Sequence, residues 1–380
     1  MLVQMKTSDD PSIIGPDTKG KKLAAVFRPE LDKLQVSRYR NKTRTLFSPA
    51  WMPFSKVVER INNLNPDIVH LHWIAGGMLR IEDLQRIKAP AVWSLHDMWA
   101  FTGGCHYDEG CGKYTDQCGN CPVLGSNKTK DLSYKIFKRK LKTYAKIKNL
   151  TIVGLSRWLA KSAEQSALFK DKPVVNLPNP IDTNMFNPLS KNIARGMLGI
   201  PVEKKIILFG AMSATTDPRK GFAELSNAFN LLRLTDIELA VFGSNKPEVI
   251  PDFKFPARYL GHFHDDISLK VLYSVADVMV VPSLQENLSN VIMESIACGT
   301  PVVAFRIGGN SDMIGHKING YLADPYEPAS LARGIEWVLK HPEPEKLSTN
   351  ARQKVLDCFE MEKVAQRYKA LYEEILYNKG

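Results

Sequence analysis

At 380 residues and 44% hydrophobic content the chain can bury a sizeable core and exceeds the usual size of one domain, so two domains are expected. No apolar run approaches the ~20 residues of a membrane span, and the opening "MLVQMKTSDD" lacks the apolar core of a signal peptide, which reads as a soluble cytoplasmic protein. The net charge of +11 is uneven: residues 1–172 hold 29 Lys and Arg against 16 Asp and Glu (+13), while 173–380 hold 22 against 24 (−2), so any attraction for nucleic acid, anionic lipid or a phosphorylated substrate belongs to the first half.

In chain order, β-branched and apolar runs predict first-half strands at "LVQM" (2–5), "DIVHLHW" (67–73), "AVWSLH" (91–96) and "TIVGLS" (151–156). His70 and His72 alternate on one strand, share a face and read first as structural. His96 ends a strand and points toward a site at the strand's C-terminal end, with Asp97 placed to orient it.

Between those strands lie two unusual segments. Cys105, Cys111, Cys118 and Cys121 fall within 17 residues and end in C-x2-C, which reads as a structural tetrathiolate zinc site, with unliganded thiols and a redox or iron–sulfur role as the alternatives. Four cysteines leave no open coordination position, so such a metal would brace a loop rather than activate water. Residues 128–148 carry nine Lys and Arg against the single Asp131, and Tyr134, Phe137, Leu141 and Tyr144 form an apolar stripe. This is a domain-packing helix with a solvated outer face, or a helix lying on anionic lipid. It carries no recognised nucleic-acid motif and most of its aromatics lie on the apolar stripe, which argues against nucleic acid as partner.

A Pro-punctuated stretch, "NLPNPIDTNMFNP" (176–188), reads as a linker. Beyond it, strands at "IILFGA", "IELAVFGS", "ARYLG", "VMVVPS" and "PVVAF" alternate with helices such as 222–233 and 266–276, the pattern of a doubly wound α/β domain with a parallel sheet. Two Rossmann-like domains are therefore expected, 1–175 and 176–355, with a cleft between them. A last helix, about 361–377 within a terminal segment 356–380, carries Val364, Tyr368, Leu371 and Ile375 on one face and should pack back near that cleft.

The helix "SNVIMESIAC" carries Glu294 two turns in and Glu286 stands just ahead of it, two acids that solvation explains poorly. Over eight helical residues the rise is roughly 12 Å and the side chains diverge by about 80°, so Glu286 and Glu294 cannot share a proton. They could grip two ends of one elongated ligand, with the amides of Asn287, Leu288, Ser289 and Asn290 cradling an anion between them. Carboxylate, anion cradle and carboxylate match a sugar, a diphosphate and a ribose in order. In "FGAMSATTDPRKGF", a strand-to-helix loop that begins at Gly210, Arg219 and Lys220 supply positive charge for a leaving nucleotide diphosphate, work a metal ion does elsewhere.

Glu286-x7-Glu294 followed by "ACGTPVV" and Gly308-Gly309, together with "LPNPIDTNMFNP", "DPRKGFAEL", "VADVMVVPS" and "NGYLAD", resembles the retaining family 4 glycosyltransferases of the GT-B fold. The resemblance covers most of the chain and keeps the motif order. It implies that Glu286 contacts donor-sugar hydroxyls, Glu294 the ribose and Lys220 the phosphates, without a catalytic metal. It also implies that His96 lies near the reacting centre while the donor phosphate takes the acceptor's proton. Relatives carry a Gly-Arg pair after the strand, whereas here Ala211 follows Gly210, leaving Arg219 as the candidate substitute. Their first domain opens with a strand, a Gly-rich loop and a helix. No Gly-rich loop precedes Gly76-Gly77 here, so roughly forty residues of that pattern lack a counterpart.

The expected function is transfer of a hexosyl group from a nucleotide-sugar to a glycan or lipid-linked acceptor in surface polysaccharide assembly, peripheral to a membrane. The alternatives are a nucleotide-sugar 2-epimerase of the same fold, which needs no acceptor, and a truncated, inactive nucleotide-sugar binder.

Overall fold

A computed structural model describes residues 1–210, 217–243 and 255–377, which divide into two compact units. The first comprises Met1–Leu177 with the chain from Leu371 onward, and the second Pro178–Ala370. The expected loop 211–216 and Ser244 of "IELAVFGS" lie outside the described residues.

The first unit is built on four parallel strands in sequential order: β1 (Val69–Leu71), β2 (Ala91–Leu95), β3 (Leu150–Gly154) and β4 (Val174–Asn176). β2 and β3 are buried along their whole length, the mark of a parallel sheet covered on both faces. Behind them Trp93 meets Tyr144 and Phe169 edge-on at 6.0 and 6.2 Å between ring centroids. β4 was not anticipated. It takes in Asn176, so the first residue of the expected linker is strand.

The expected strand at 2–5 does not form. Leu2 makes only an isolated bridge to Ile14, because Asp10 turns the chain back. Its side chain accepts from the Ser12 amide at 2.8 Å and its carbonyl from the Ile13 amide at 3.2 Å, which brings the Ile14 amide to the Met1 carbonyl at 2.7 Å.

The basic segment is a helix over Leu132–Tyr144, capped by the Asp131 carboxylate on the Tyr134 amide, but its register differs from expectation. The buried face is Ser133, Ile136, Phe137, Lys140, Thr143 and Tyr144, and Leu141 is 39% exposed. Lys140 is fully buried: its ammonium donates to the carbonyls of Trp99 and Thr102 and lies 3.9 Å from the centroid of the Trp99 ring. Burial pulls its pKa down to about 7, opposed by the neighbouring Cys105 and Cys118. Arg139 is also committed, forking onto Glu82 at 2.7 and 2.8 Å and onto the carbonyls of Pro49 and Ala50. Two of the basic residues expected on an outer face therefore hold the unit together. Only Lys135, Lys138 and Lys142 of this helix's cations are exposed.

The second unit is a six-stranded parallel sheet in the order β10-β9-β8-β5-β6-β7, with β5 Lys205–Gly210, β6 Ile237–Phe242, β7 Ala257–Tyr259, β8 Val278–Val281, β9 Val302–Phe305 and β10 Gly320–Ala323. The switch from β5–β6–β7 on one side to β8–β9–β10 on the other falls between β5 and β8, where open α/β sheets bind ligands beyond their strand ends. β10, inside "NGYLAD", was not anticipated as a strand. The expected boundary at 355–356 falls inside the helix Pro344–Cys358, and the last helix, Met361–Tyr377, buries Val364 and Leu371.

Lys140→Glu is expected to destabilise the protein by roughly 3–5 kcal/mol, since it buries an unpaired carboxylate against two carbonyls. The double variant Lys138→Glu, Lys142→Glu on the exposed face should stay within about 0.5 kcal/mol per site of wild type. Urea unfolding followed by tryptophan fluorescence separates the two, and equal losses would refute the burial of Lys140.

Candidate functional site

In the second unit the switch point carries the expected acid. Glu286 is not helical: the helix runs over Asn290–Ala297, and Glu286 sits in the loop after β8. The expected eight-residue helical spacing to Glu294 therefore does not apply. Its carboxylate receives Lys220 Nζ at 3.3 Å on Oε2 and the Asn287 amide at 3.3 Å on Oε1. The anion cradle is corrected in the same way. The Asn287 amide is used locally, and Ser289 is the N-cap, with its carbonyl accepting from Met293, so the helix's first amides begin at Asn290.

Two glycines make this pairing possible. Gly221, at φ +72, brings the short helical turn Pro218–Lys220 against the end of β8, where a Cβ would stand 1.9 Å from the Pro282 carbonyl oxygen. Gly308, at φ +48, packs on the Glu286 backbone so closely that a Cβ would lie 1.8 Å from its oxygen. Gly210, Lys220 and Ser289 line one small hollow with Val280–Ser283. Gly210 is needed there because the Phe242 ring lies 2.3 Å from where its Cβ would be. Leu288 is buried beside the hollow's helix, and Asn287 is 3% exposed.

Arg219 differs from expectation. Its guanidinium folds onto Asp217 at 2.7 and 3.2 Å, and that carboxylate is held below its usual range in part by this contact. The charge offered as a substitute phosphate ligand is thus paired with an acid two residues away. Glu294 faces Tyr273, whose hydroxyl donates to it at 2.7 Å. Burial raises the carboxyl's pKa and the hydrogen bond opposes that rise.

In the first unit His96 follows β2, and its Nε2 lies 3.0 Å from His72 Nδ1. His70 lies on β1 and His72 just after its end, with ring centroids 4.3 Å apart, and His70 is pinned by the Tyr372 hydroxyl at 2.6 Å and Ser94 Oγ at 2.8 Å. Desolvation lowers the pKa of all three, that of His70 to about 4, so they are neutral near pH 7. His72 as partner of His96 was legible only as alternation in "DIVHLHW"; Tyr372, 302 residues from His70, gave no sequence signal.

Asp97 does not take the expected role. Its carboxylate accepts from the Trp99 amide at 2.8 Å and pairs with His106 Nδ1 at 2.6 Å, while His106 Nε2 reaches Ser48 Oγ at 2.9 Å. Ser48 and His106 are buried, so this serine–histidine–aspartate row locks the loop after β2 against residues 46–48.

Cys105, Cys118 and Cys121 are buried and Cys111 is half-buried between two left-handed glycines, Gly110 and Gly112. Among the described residues no group of three or more His, Cys, Asp or Glu stands where it could hold a metal ion. Burial raises all four thiols, Cys118 to about 12.

Residues 190–354 match the family described as "Glycosyl transferases group 1". An uncharacterized glycosyltransferase of Methanocaldococcus jannaschii is 26% identical over 343 residues, covering 83% of this chain and 86% of that protein. A D-inositol 3-phosphate glycosyltransferase of Thermobispora bispora is 30% identical over 188 residues, 44% of this chain and only 43% of that protein. Among solved structures, sucrose-phosphate synthase from Thermosynechococcus elongatus superposes with a TM-score of 0.64 at 22% identity, covering 85% of this chain and 78% of that one. Anabaena HepE in complex with UDP and glucose gives 0.60 at 16% identity, with 84% and 80% covered. The fold is GT-B.

With the four thiols protonated, iodoacetamide at pH 8 should modify Cys111 first and leave Cys105, Cys118 and Cys121 unmodified in the native protein. A tetrathiolate zinc site would instead protect all four and give about one zinc per chain by elemental analysis.

Proposed function

We propose that the chain is a retaining, metal-independent glycosyltransferase that moves a hexosyl group from a nucleotide-sugar to a glycan or lipid-linked acceptor, as the resemblance to family 4 implies. The observation that carries the reading is the Lys220–Glu286 pair at 3.3 Å, held beside Gly210 and Ser289 at the switch point of the second sheet. A lone ion pair would be a weak reason to bury two charges, but a pair that opens for a ligand has a use for both. On donor binding Lys220 Nζ turns to the diphosphate, joined by the amides at Asn290 and the positive end of its helix. The freed Glu286 carboxylate accepts hydrogen bonds from sugar hydroxyls. As the bond from the anomeric carbon to phosphate breaks and the acceptor oxygen bonds to that carbon from the same face, the ammonium stabilises the leaving charge and the departing phosphate oxygen takes the acceptor's proton. Glu294, held by Tyr273, is the ribose contact, and His96 positions sugar or acceptor.

Attachment to a membrane in surface polysaccharide assembly rests on the resemblance together with exposed Lys135, Lys138 and Lys142. Reversing these three to Glu should abolish co-sedimentation with acidic vesicles, and unchanged sedimentation would remove the lipid role of this helix.

Glu286→Gln and Lys220→Met should each lower turnover by about 10²–10³-fold without altering the unfolding midpoint, and EDTA should leave wild-type turnover unchanged. Wild-type rates in either variant, or loss of activity in EDTA without unfolding, would overturn the site assignment or the metal-free mechanism respectively.

A further inference from the structure

The helix Lys19–Lys33 begins where Thr18 Oγ1 accepts from the Lys21 amide, and it buries only Ala25 and Asp32. The buried side is held by polar contacts. Asp32 accepts from the Ala50 and Trp51 amides at 3.2 and 3.1 Å. Pro29 leaves the Ala25 carbonyl without its helical donor, and Gln4 Nε2 donates to it at 3.1 Å, so the opening segment also packs on that side. The apolar residues face the other way. Leu23, Phe27, Leu31 and Leu34 form one stripe, centred roughly 150° around the axis from Ala25 and Asp32. They are 60, 55, 42 and 54% exposed, so the helix turns its apolar stripe to water. A fifth apolar side chain stands beside it. Arg28, from the middle of the helix, donates to the carbonyls of Pro53 and Met52 at 3.0 and 3.2 Å, and the next residue, Phe54, is 93% exposed at φ +63. Left-handed backbone is costly for a bulky residue, and here it holds an aromatic ring in solvent.

The charge around the stripe decides what covers it. Residues 17–44 hold nine Lys and Arg against Asp17, Glu30 and Asp32. Asp17 and Glu30 pair with Lys21 and Lys33 at 2.7 Å, and Asp32 is buried. Soon after the helix come Arg38, Arg40 and Lys42, all exposed, and among the described residues no carboxylate pairs with any of them. The Tyr39 hydroxyl, accepting from the Leu132 amide at 2.9 Å, and the Thr43 amide, donating to the Val123 carbonyl at 2.9 Å, hold this run in place on the first unit. The apolar stripe thus leads directly into a fixed row of unpaired cations. A second copy docked on the stripe by two-fold symmetry would bring the same cations toward one another. A soluble polyanion would leave the leucines in water. An anionic bilayer accepts both features, phosphates meeting the cations and hydrocarbon the apolar side chains.

We infer that the helix Lys19–Lys33 lies in the plane of an anionic phospholipid surface, with Leu23, Phe27, Leu31 and Leu34 at the acyl boundary and Arg38, Arg40 and Lys42 on lipid phosphates. This rests on the membrane reading, to which Lys135, Lys138 and Lys142 add attraction, and names the part of the chain that enters the lipid.

The test uses the 380-residue chain and vesicles of mixed phosphatidylglycerol and phosphatidylcholine. Leu23→Gln, Phe27→Gln and Leu31→Gln combined should weaken co-sedimentation at least about tenfold without lowering the unfolding midpoint, since all three side chains are exposed in the unbound protein. Arg38→Glu, Arg40→Glu and Lys42→Glu combined should weaken it at least about tenfold as well. In Phe27→Trp, phosphatidylglycerol brominated on its acyl chains should quench tryptophan fluorescence more than in wild type, because position 27 reaches acyl depth. Wild-type affinity in the glutamine variant, or no added quenching in Phe27→Trp, would overturn the inference. So would a dimer in sedimentation velocity that the glutamine variant converts to monomer, which would assign the stripe to a second copy. The two readings fail differently: a wild-type chain that binds no acidic vesicle refutes membrane attachment altogether, whereas a chain that binds but passes position 27 by refutes only the role of this helix.

Discussion

The second unit's chemistry depends on how closely its backbone segments approach at the switch point. Gly308 leaves no room for a methyl group against the Glu286 carbonyl, and Gly221 leaves none against that of Pro282. The Gly221 contact ties the turn at 218–220 to the loop after β8, the Leu284 amide adds a second tie by donating to the Arg219 carbonyl at 2.8 Å, and the Gly308 contact holds the same loop at Glu286. Lys220 and Glu286 come from loops 66 residues apart and meet only because the main chains beneath them are clamped. Side-chain chemistry at such a site is inherited from backbone geometry, which explains why glycine, with no chemistry of its own, recurs on both sides of it.

The distinction between what a sequence shows and what it hides follows the same line. β-branched and apolar runs revealed β2, β3, β5, β6, β8 and β9 because burial on two faces demands them, whereas β7, expected from "ARYLG", has no buried residue. The last helix, expected at about 361–377, was legible from its 3.6-residue period, with Val364 and Leu371 buried on the expected face. β4 and β10 were missed because each is short and carries an ambiguous signal: β4 is half-buried, and β10 opens with glycine. Glu286 and Lys220 were singled out one by one, and the structure brings them to 3.3 Å. Which side chains pair was not readable. Asp97 was assigned to its neighbour His96, but a strand-end histidine and the residue after it point apart, and the carboxylate found His106, nine residues on. Arg219 was assigned to phosphate, although Asp217, two residues earlier, already offered a carboxylate within reach.

The misread helix over Leu132–Tyr144 shows why periodicity alone can place a face wrongly. Counting aromatics put Tyr134, Phe137, Leu141 and Tyr144 inside. The structure rotates the buried stripe toward Ile136 and Lys140, since Lys140 can thread its stem through the core and spend its ammonium on two carbonyls and an indole. A lysine counts as polar in any pattern, yet its four methylenes pack as an aliphatic chain.

This use of cations runs through the first unit and changes the meaning of its charge. Arg28 donates to the carbonyls of Gly77, Pro53 and Met52; Lys113 to those of Gly119 and Asn120; Arg139 to those of Pro49 and Ala50; Lys172 to that of Ile147. Each donates to main-chain oxygens of loop backbone outside the strands and helices, a requirement of irregular backbone rather than of any external anion. A formal +13 therefore overstates the positive surface offered to a polyanion, because several of these cations are oriented inward and partly desolvated.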